Sequence, residues 1–114
     1  MENLKIIIAD NSFKHAQLVL KVLTSSGLKH QKLVYELPEL IQLIKGEDSN
    51  DLLLISDEIQ GLNLSNLIKD IKYFKTNFKA IILFTDILNP FLISYFYRIG
   101  IDYVIHKNKN NADL

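Results

Sequence analysis

Five short apolar runs, separated by segments with helical spacing, constrain this chain more than any other feature. Lys5-Ile-Ile-Ile-Ala9 is β-branched and apolar at successive positions. That is the pattern of a strand buried on both faces of a parallel sheet. Lys32-Leu-Val-Tyr35, Leu52 to Ile55, Ala80 to Phe84 and Tyr103 to Ile105 read as the other four strands. Between them, Phe13, Ala16, Leu20 and Leu23 recur at helical spacing over about Ser12 to Ser26, and Gly27 supplies the stop. Pro38 opens a second helix that carries Leu40, Ile41 and Ile44 and stops at Gly46. A third, from about Ser65 to Phe74, turns Leu67, Ile68 and Ile71 inward, after a loop holding Gly61. Asn89-Pro90 caps a fourth, which ends at Ile99 before Gly100. Three of the four glycines thus end helices. The order βαβαβαβαβ, with right-handed crossovers, predicts a parallel sheet with helices on both faces.

A length of 114 residues suits one domain. With no cysteine there is no disulfide framework and no thiolate metal site. Lys plus Arg equals Asp plus Glu at 13 each, which argues against direct nucleic-acid binding by this domain and against attraction to anionic membrane. The apolar runs are too short to span a bilayer. Met1-Glu-Asn-Leu-Lys-Ile-Ile-Ile8 lacks the basic start and long apolar region of a signal peptide, so a cytoplasmic location is expected. The folded domain is expected over 1–107, with 108–114 a polar tail that is a linker or the start of a truncated last helix. Ala112-Asp-Leu114 reads as the opening of an interrupted helix, as in a piece excised from a longer protein. Part of the sheet face beside the first helix should then lie bare.

In open α/β sheets ligands bind beyond the carboxyl ends of the strands, where strand order reverses. The residues there are Asp10 and Asn11, Ser56, Asp57 and Glu58, Thr85 and Asp86, and His106 and Lys107. Asp10-Asn-Ser-Phe13 contains no glycine. A phosphate-cradling loop is therefore absent, which disfavours a flavodoxin-like enzyme or nucleotide binder. His15, His30 and His106 are isolated in sequence and lack metal-ligand spacing, so structural or surface roles are expected.

The constellation resembles the receiver domains of two-component response regulators over nearly the whole chain. Lys5-Ile-Ile-Ile-Ala-Asp-Asn11 is similar to the family's first strand and acidic pair. Asp51-Leu-Leu-Leu-Ile-Ser-Asp-Glu-Ile-Gln-Gly61 is similar to its third strand and following loop. Gly100-Ile-Asp-Tyr-Val-Ile-His-Lys107 resembles its last strand and terminal lysine. The resemblance implies a flavodoxin-like (CheY-like), doubly wound, five-stranded parallel sheet of order 2-1-3-4-5, with the last helix missing or truncated. It makes Ser56 the phosphoacceptor equivalent, Asp10 and Asn11 the acidic pocket, Thr85 and Tyr103 the switch pair and Lys107 the conserved-lysine equivalent. A one-residue gap would give the lysine role to His106. Asp57 is the alternative acceptor, but reaching it means sliding the third strand by one residue, which swaps every side chain to the opposite face.

The departures carry the functional expectation. A carboxylate acceptor is ionised at pH 7, whereas a serine hydroxyl needs a neighbouring base. In the family, two acids and the acceptor aspartate hold one Mg²⁺. Here one acid is Asn11 and the acceptor is Ser56, so no cofactor is expected, and Asp10 is a weak metal candidate at most. Mg²⁺ enters only if the pocket is functional. Gln60 and Asn108 replace prolines that the family places before the loop glycine and after the lysine. Asp10 is expected to pair with Lys107, and Asp86 to add a charge near it. Phe91 and Tyr95 are surplus to the fourth helix's inward stripe and mark an output face with the fifth strand. The expected function is a degenerate receiver: a phosphorylation-independent signalling and dimerisation module, not an enzyme. It would belong to a longer transcriptional regulator whose output domain binds DNA. The alternative is a working receiver that uses Asp57.

Overall fold

The computed structural model describes residues 4–28, 30–46, 50–74, 78–87 and 89–107. In chain order they form β1 (Lys5–Ala9), α1 (Phe13–Ser25), β2 (His30–Val34), α2 (Leu37–Lys45), β3 (Leu52–Ser56), α3 (Leu64–Tyr73), β4 (Ala80–Thr85), α4 (Pro90–Ile99) and β5 (Tyr103–His106). The strands pair in parallel in the order β2-β1-β3-β4-β5. The fold is a doubly wound, flavodoxin-like sheet. The expected tail and truncated helix at 108–114 lie outside the described residues.

Each strand alternates its apolar residues between two clusters, because successive side chains leave opposite faces. Ile7, Ala9, Leu53, Ile55, Ile81 and Leu83 face α2, α3 and α4, where Leu40, Ile44, Leu67, Ile68, Ile71 and Phe96 close the core. Ile6, Ile8, Leu54 and Phe84 face α1 and meet Ala16 and Val19. Val104 packs on the first cluster. Its β5 neighbours Tyr103 and Ile105 therefore lie on the α1 side, and both are exposed. That is where the sheet face is open among the described residues.

Strands apolar on both faces do not set their own register by hydrophobic alternation. Carboxylates at the amino ends of the strands help to set it here. Asp51 accepts the Lys5 N–H at 2.9 Å, and its own N–H donates to the Lys5 carbonyl at 2.7 Å. The Lys5 N–H on its carboxylate is the main reason the Asp51 carboxyl titrates below the usual range. Asp102 accepts the Ile81 N–H at 2.7 Å and donates its N–H to the Ile81 carbonyl at 2.9 Å.

β2 begins at His30, earlier than the apolar residues suggest, and ends at Val34. It matches β1 residue for residue, from Lys5 opposite His30 to Ala9 opposite Val34. The partner strand sets its length, so exposed polar residues join the ladder. Tyr35 falls just beyond it and stacks on Phe13, with ring centroids 6.0 Å apart. α1, α3 and α4 start on Ser12, Asn63 and Asn89, whose side chains accept helix N–H groups. No helix among the described residues is long and apolar enough to cross a membrane.

Candidate functional site

Three strand ends deliver one buried polar side chain each. Asp10 follows β1, Ser56 ends β3 and Lys107 follows β5, with 2%, 0% and 6% of their surfaces exposed. The Lys107 N–H bonds the Thr85 carbonyl at 2.7 Å and so extends the ladder past His106. The pleat then turns Lys107 to the side of Tyr103 and Ile105, the face that Ser56 shares with Leu54. His106 points away and is exposed. Of the two, Lys107 is the one buried beside Ser56.

The Lys107 amino group has three N–H donors. Three oxygens surround it: Ser56 Oγ at 2.6 Å, Glu58 Oε2 at 3.3 Å and Asp10 Oδ1 at 3.6 Å. Ser56 Oγ also accepts the Glu58 N–H at 3.2 Å. Both lone pairs of that hydroxyl are therefore in use. Asp10 Oδ1 further accepts the Ser12 N–H at 2.9 Å, and the His15 Nδ1–H donates to Asp10 Oδ2.

His15 is therefore not isolated, contrary to its position in the sequence. Helix geometry brings it in: Ser12 caps α1 by accepting the His15 N–H at 3.2 Å, and His15 occupies the third helical position. From that position a side chain reaches back over the helix start, as the glutamate of a capping box does. The Ser-x-x-His spacing was the available signal. The imidazole also meets the Phe84 ring edge-on, with centroids 5.0 Å apart. His30, by contrast, is exposed on β2.

Asp57 faces elsewhere. It follows Ile55 in the pleat and takes a hydrogen bond from the Thr85 hydroxyl, while Thr85 Oγ1 accepts the Ile87 N–H at 3.0 Å. Thr85 is fully buried. Burial pushes the Asp57 carboxyl above the ordinary value of 3.8, against the lowering effects of the Thr85 bond and Lys107, and the Glu58 and Asp86 charges add to the rise. Ser56 and Asp57, adjacent in sequence, thus serve two different polar clusters. Asn11 is exposed at the rim.

The residues present do not suit Mg²⁺, a hard cation that demands near-octahedral oxygen coordination. Asp10 has donors on both oxygens, Ser56 offers a neutral oxygen already accepting two hydrogen bonds, and Asn11 is an amide. Among the described residues no three His, Asp or Glu side chains are grouped to hold a metal ion.

Away from this pocket, α4 buries Phe96 and exposes Phe91, Leu92, Tyr95 and Tyr97. The Tyr97 hydroxyl accepts the Val104 N–H at 3.2 Å, tying the helix to β5. Tyr103 stands outside the polar pocket, 62% exposed.

No family model and no curated protein matches the sequence. Solved structures match the fold. The receiver domain of the Francisella response regulator 1452 superposes with a TM-score of 0.80 at 20% identity, covering 92% of this chain and 84% of that one. A Burkholderia pseudomallei response regulator with a phosphorylated aspartic acid, calcium ion and citrate gives 0.77 at 14%, covering 96% of this chain and 62% of that one. DrrB, an OmpR/PhoB homologue of Thermotoga maritima, gives 0.77 at 16%, covering 94% and 46%. The chain therefore spans less than two thirds of the Burkholderia and Thermotoga proteins. With its strand order and crossovers, the chain has the fold of response regulator receiver domains.

Proposed function

We propose that this chain is a degenerate receiver domain, which signals through protein contacts rather than through an aspartyl phosphate. The supporting observation is the state of Ser56: fully buried, with the Lys107 amino group and the Glu58 N–H both on its oxygen. Attack at phosphorus needs a free lone pair, and a serine needs a base to raise its nucleophilicity. Here both lone pairs are engaged by donors, and a lysine donor stands where a base would have to be. Lys107 also ties together Asp10, Ser56 and Glu58, a linking role that a bound cation would otherwise fill. On this reading the chain is not an enzyme and works in the cytoplasm. Self-association or a protein partner uses the aromatic surface of α4 and β5. DNA contact, as in a transcriptional regulator, belongs to an output domain elsewhere in a longer protein.

The test is to incubate the protein with Mg²⁺ and either acetyl phosphate or beryllofluoride, then measure intact mass and the ¹⁹F spectrum. No adduct is expected. An adduct lost in Asp57→Ala would establish the working-receiver alternative, and one mapped to Ser56 would equally end the proposal.

A further inference from the structure

The loss of two acids explains only part of why this pocket does not suit a divalent cation, because Asp10 remains. About four lone-pair sites exist on a carboxylate. On Asp10, the Ser12 N–H and Lys107 meet Oδ1, and His15 meets Oδ2. The Ser12 bond is backbone geometry at the start of α1, and Lys107 sits at 3.6 Å. Neither occupies Oδ2. His15 occupies one of its two lone-pair sites, and the imidazole meets the Phe84 ring edge-on at 76°. Its Nε2 is buried with no hydrogen-bond partner among the described residues. A buried unsatisfied nitrogen is costly. Against that cost the ring has the Asp10 bond and the Phe84 contact.

We infer that His15 is a positioning residue that withholds Asp10 from divalent cations, a second barrier beside the substitutions at Asn11 and Ser56. The inference rests on the degenerate-receiver reading and gives it a specific consequence. Restoring the acids alone does not restore a metal site, because Asp10, the acid retained of the pair, is already committed to a side chain from α1.

The probe is Mn²⁺, followed by electron paramagnetic resonance, on three variants of the whole chain. One is Asn11→Asp with Ser56→Asp. The other two add His15→Ala or His15→Leu. Leucine keeps bulk against Phe84 but cannot donate. Both triple variants are expected to bind Mn²⁺ at least about tenfold more tightly than the double variant. Equal binding by the double and triple variants would overturn the inference, as would no gain in either triple. A gain with alanine alone would overturn it too, because space rather than the hydrogen bond would then be in control. Circular dichroism checks that each variant folds. The wild-type protein supplies a measurement independent of folding in the variants. The His15 ring should show an Nδ1-bound proton in ¹⁵N–¹H spectra, unmoved by millimolar Mg²⁺, and a saturable shift would count against the inference. Tight Mn²⁺ binding by the wild type would fail the degenerate reading itself, whereas tight binding by the double variant would fail only the role of His15.

Discussion

Asp57 and Ser56 differ by one position and by the face they occupy, and their chemistry follows from that. Ser56 spends its lone pairs on Lys107 and the Glu58 N–H. Asp57 is held by Thr85 in partly buried surroundings, and desolvation raises its carboxyl above 3.8. A raised carboxyl binds its proton at a higher pH in the folded state than in the unfolded chain. The folded state therefore loses stability as pH rises through the folded value, and the full benefit exists only below the unfolded one. Asp57→Asn cannot ionise but keeps an acceptor for the Thr85 hydroxyl. It should be more stable than the wild type at pH 7, with the difference vanishing below the unfolded value of 3.8. Urea unfolding across a pH series reads this directly. A variant less stable than the wild type at pH 7 would show that Asp57 contributes more by its charge than burial costs it.

Gly46 and Gly100 look alike in sequence, each closing a helix, yet their backbones differ. Gly100 has φ 121°, and a Cβ there would lie 3.2 Å from Ile68 Cγ2 on α3. It turns the chain from α4 into β5, and thus towards Lys107. Gly46 has φ −68° and ψ 168°, which any residue adopts, and a Cβ would meet only the Leu43 and Gln42 carbonyls at ordinary contact distance. Gly100→Ala should lower stability by about 2 kcal/mol. Gly46→Ala should be neutral or stabilising by up to about 1 kcal/mol, through a less flexible unfolded chain. Urea midpoints of the two variants check the opposite signs. The stop signals were legible because glycine is enriched just past helix ends, where the backbone often turns to positive φ. The difference between them was not, because φ depends on where the next element must go.

Among the described residues, α4 exposes three rings, Phe91, Tyr95 and Tyr97, while Phe13, Tyr73, Phe74 and Tyr103 are exposed elsewhere. Phe91 is 84% exposed and Tyr103 62%. Aromatic side chains are enriched in contact surfaces, so the exposed rings of α4 are where the proposed self-association can be tested. Phe91 and Tyr95 were legible as surplus to the inward stripe, since a helix on a sheet needs only one apolar face. In sedimentation velocity the wild type should show concentration-dependent dimers. The double substitution of Phe91 and Tyr95 to Glu should be monomeric at every concentration with its melting temperature little changed, because neither side chain is buried. A wild type that stays monomeric throughout would remove self-association and leave the surface to a different partner.

The order of the elements, the parallel sheet and the polar rim at its carboxyl edge were all determined by local sequence. Apolar runs, helical spacing and capping residues act within a few positions of one another, so a reader of the chain sees them. The sequence likewise set that Asn11 and Ser56 are not carboxylates. Tertiary structure decided which neighbour faces which cluster. Ser56 rather than Asp57 meets the lysine, and Lys107 rather than His106 is the lysine it meets, across 51 residues. Those choices turn on the register and pleat of strands apolar on both faces, where pattern alone is degenerate and distant groups such as Asp51 and Asp102 do the pinning. His15 is the extreme case. Its partner lies five residues away, yet their meeting depends on the cap, the helix start and the Phe84 ring together.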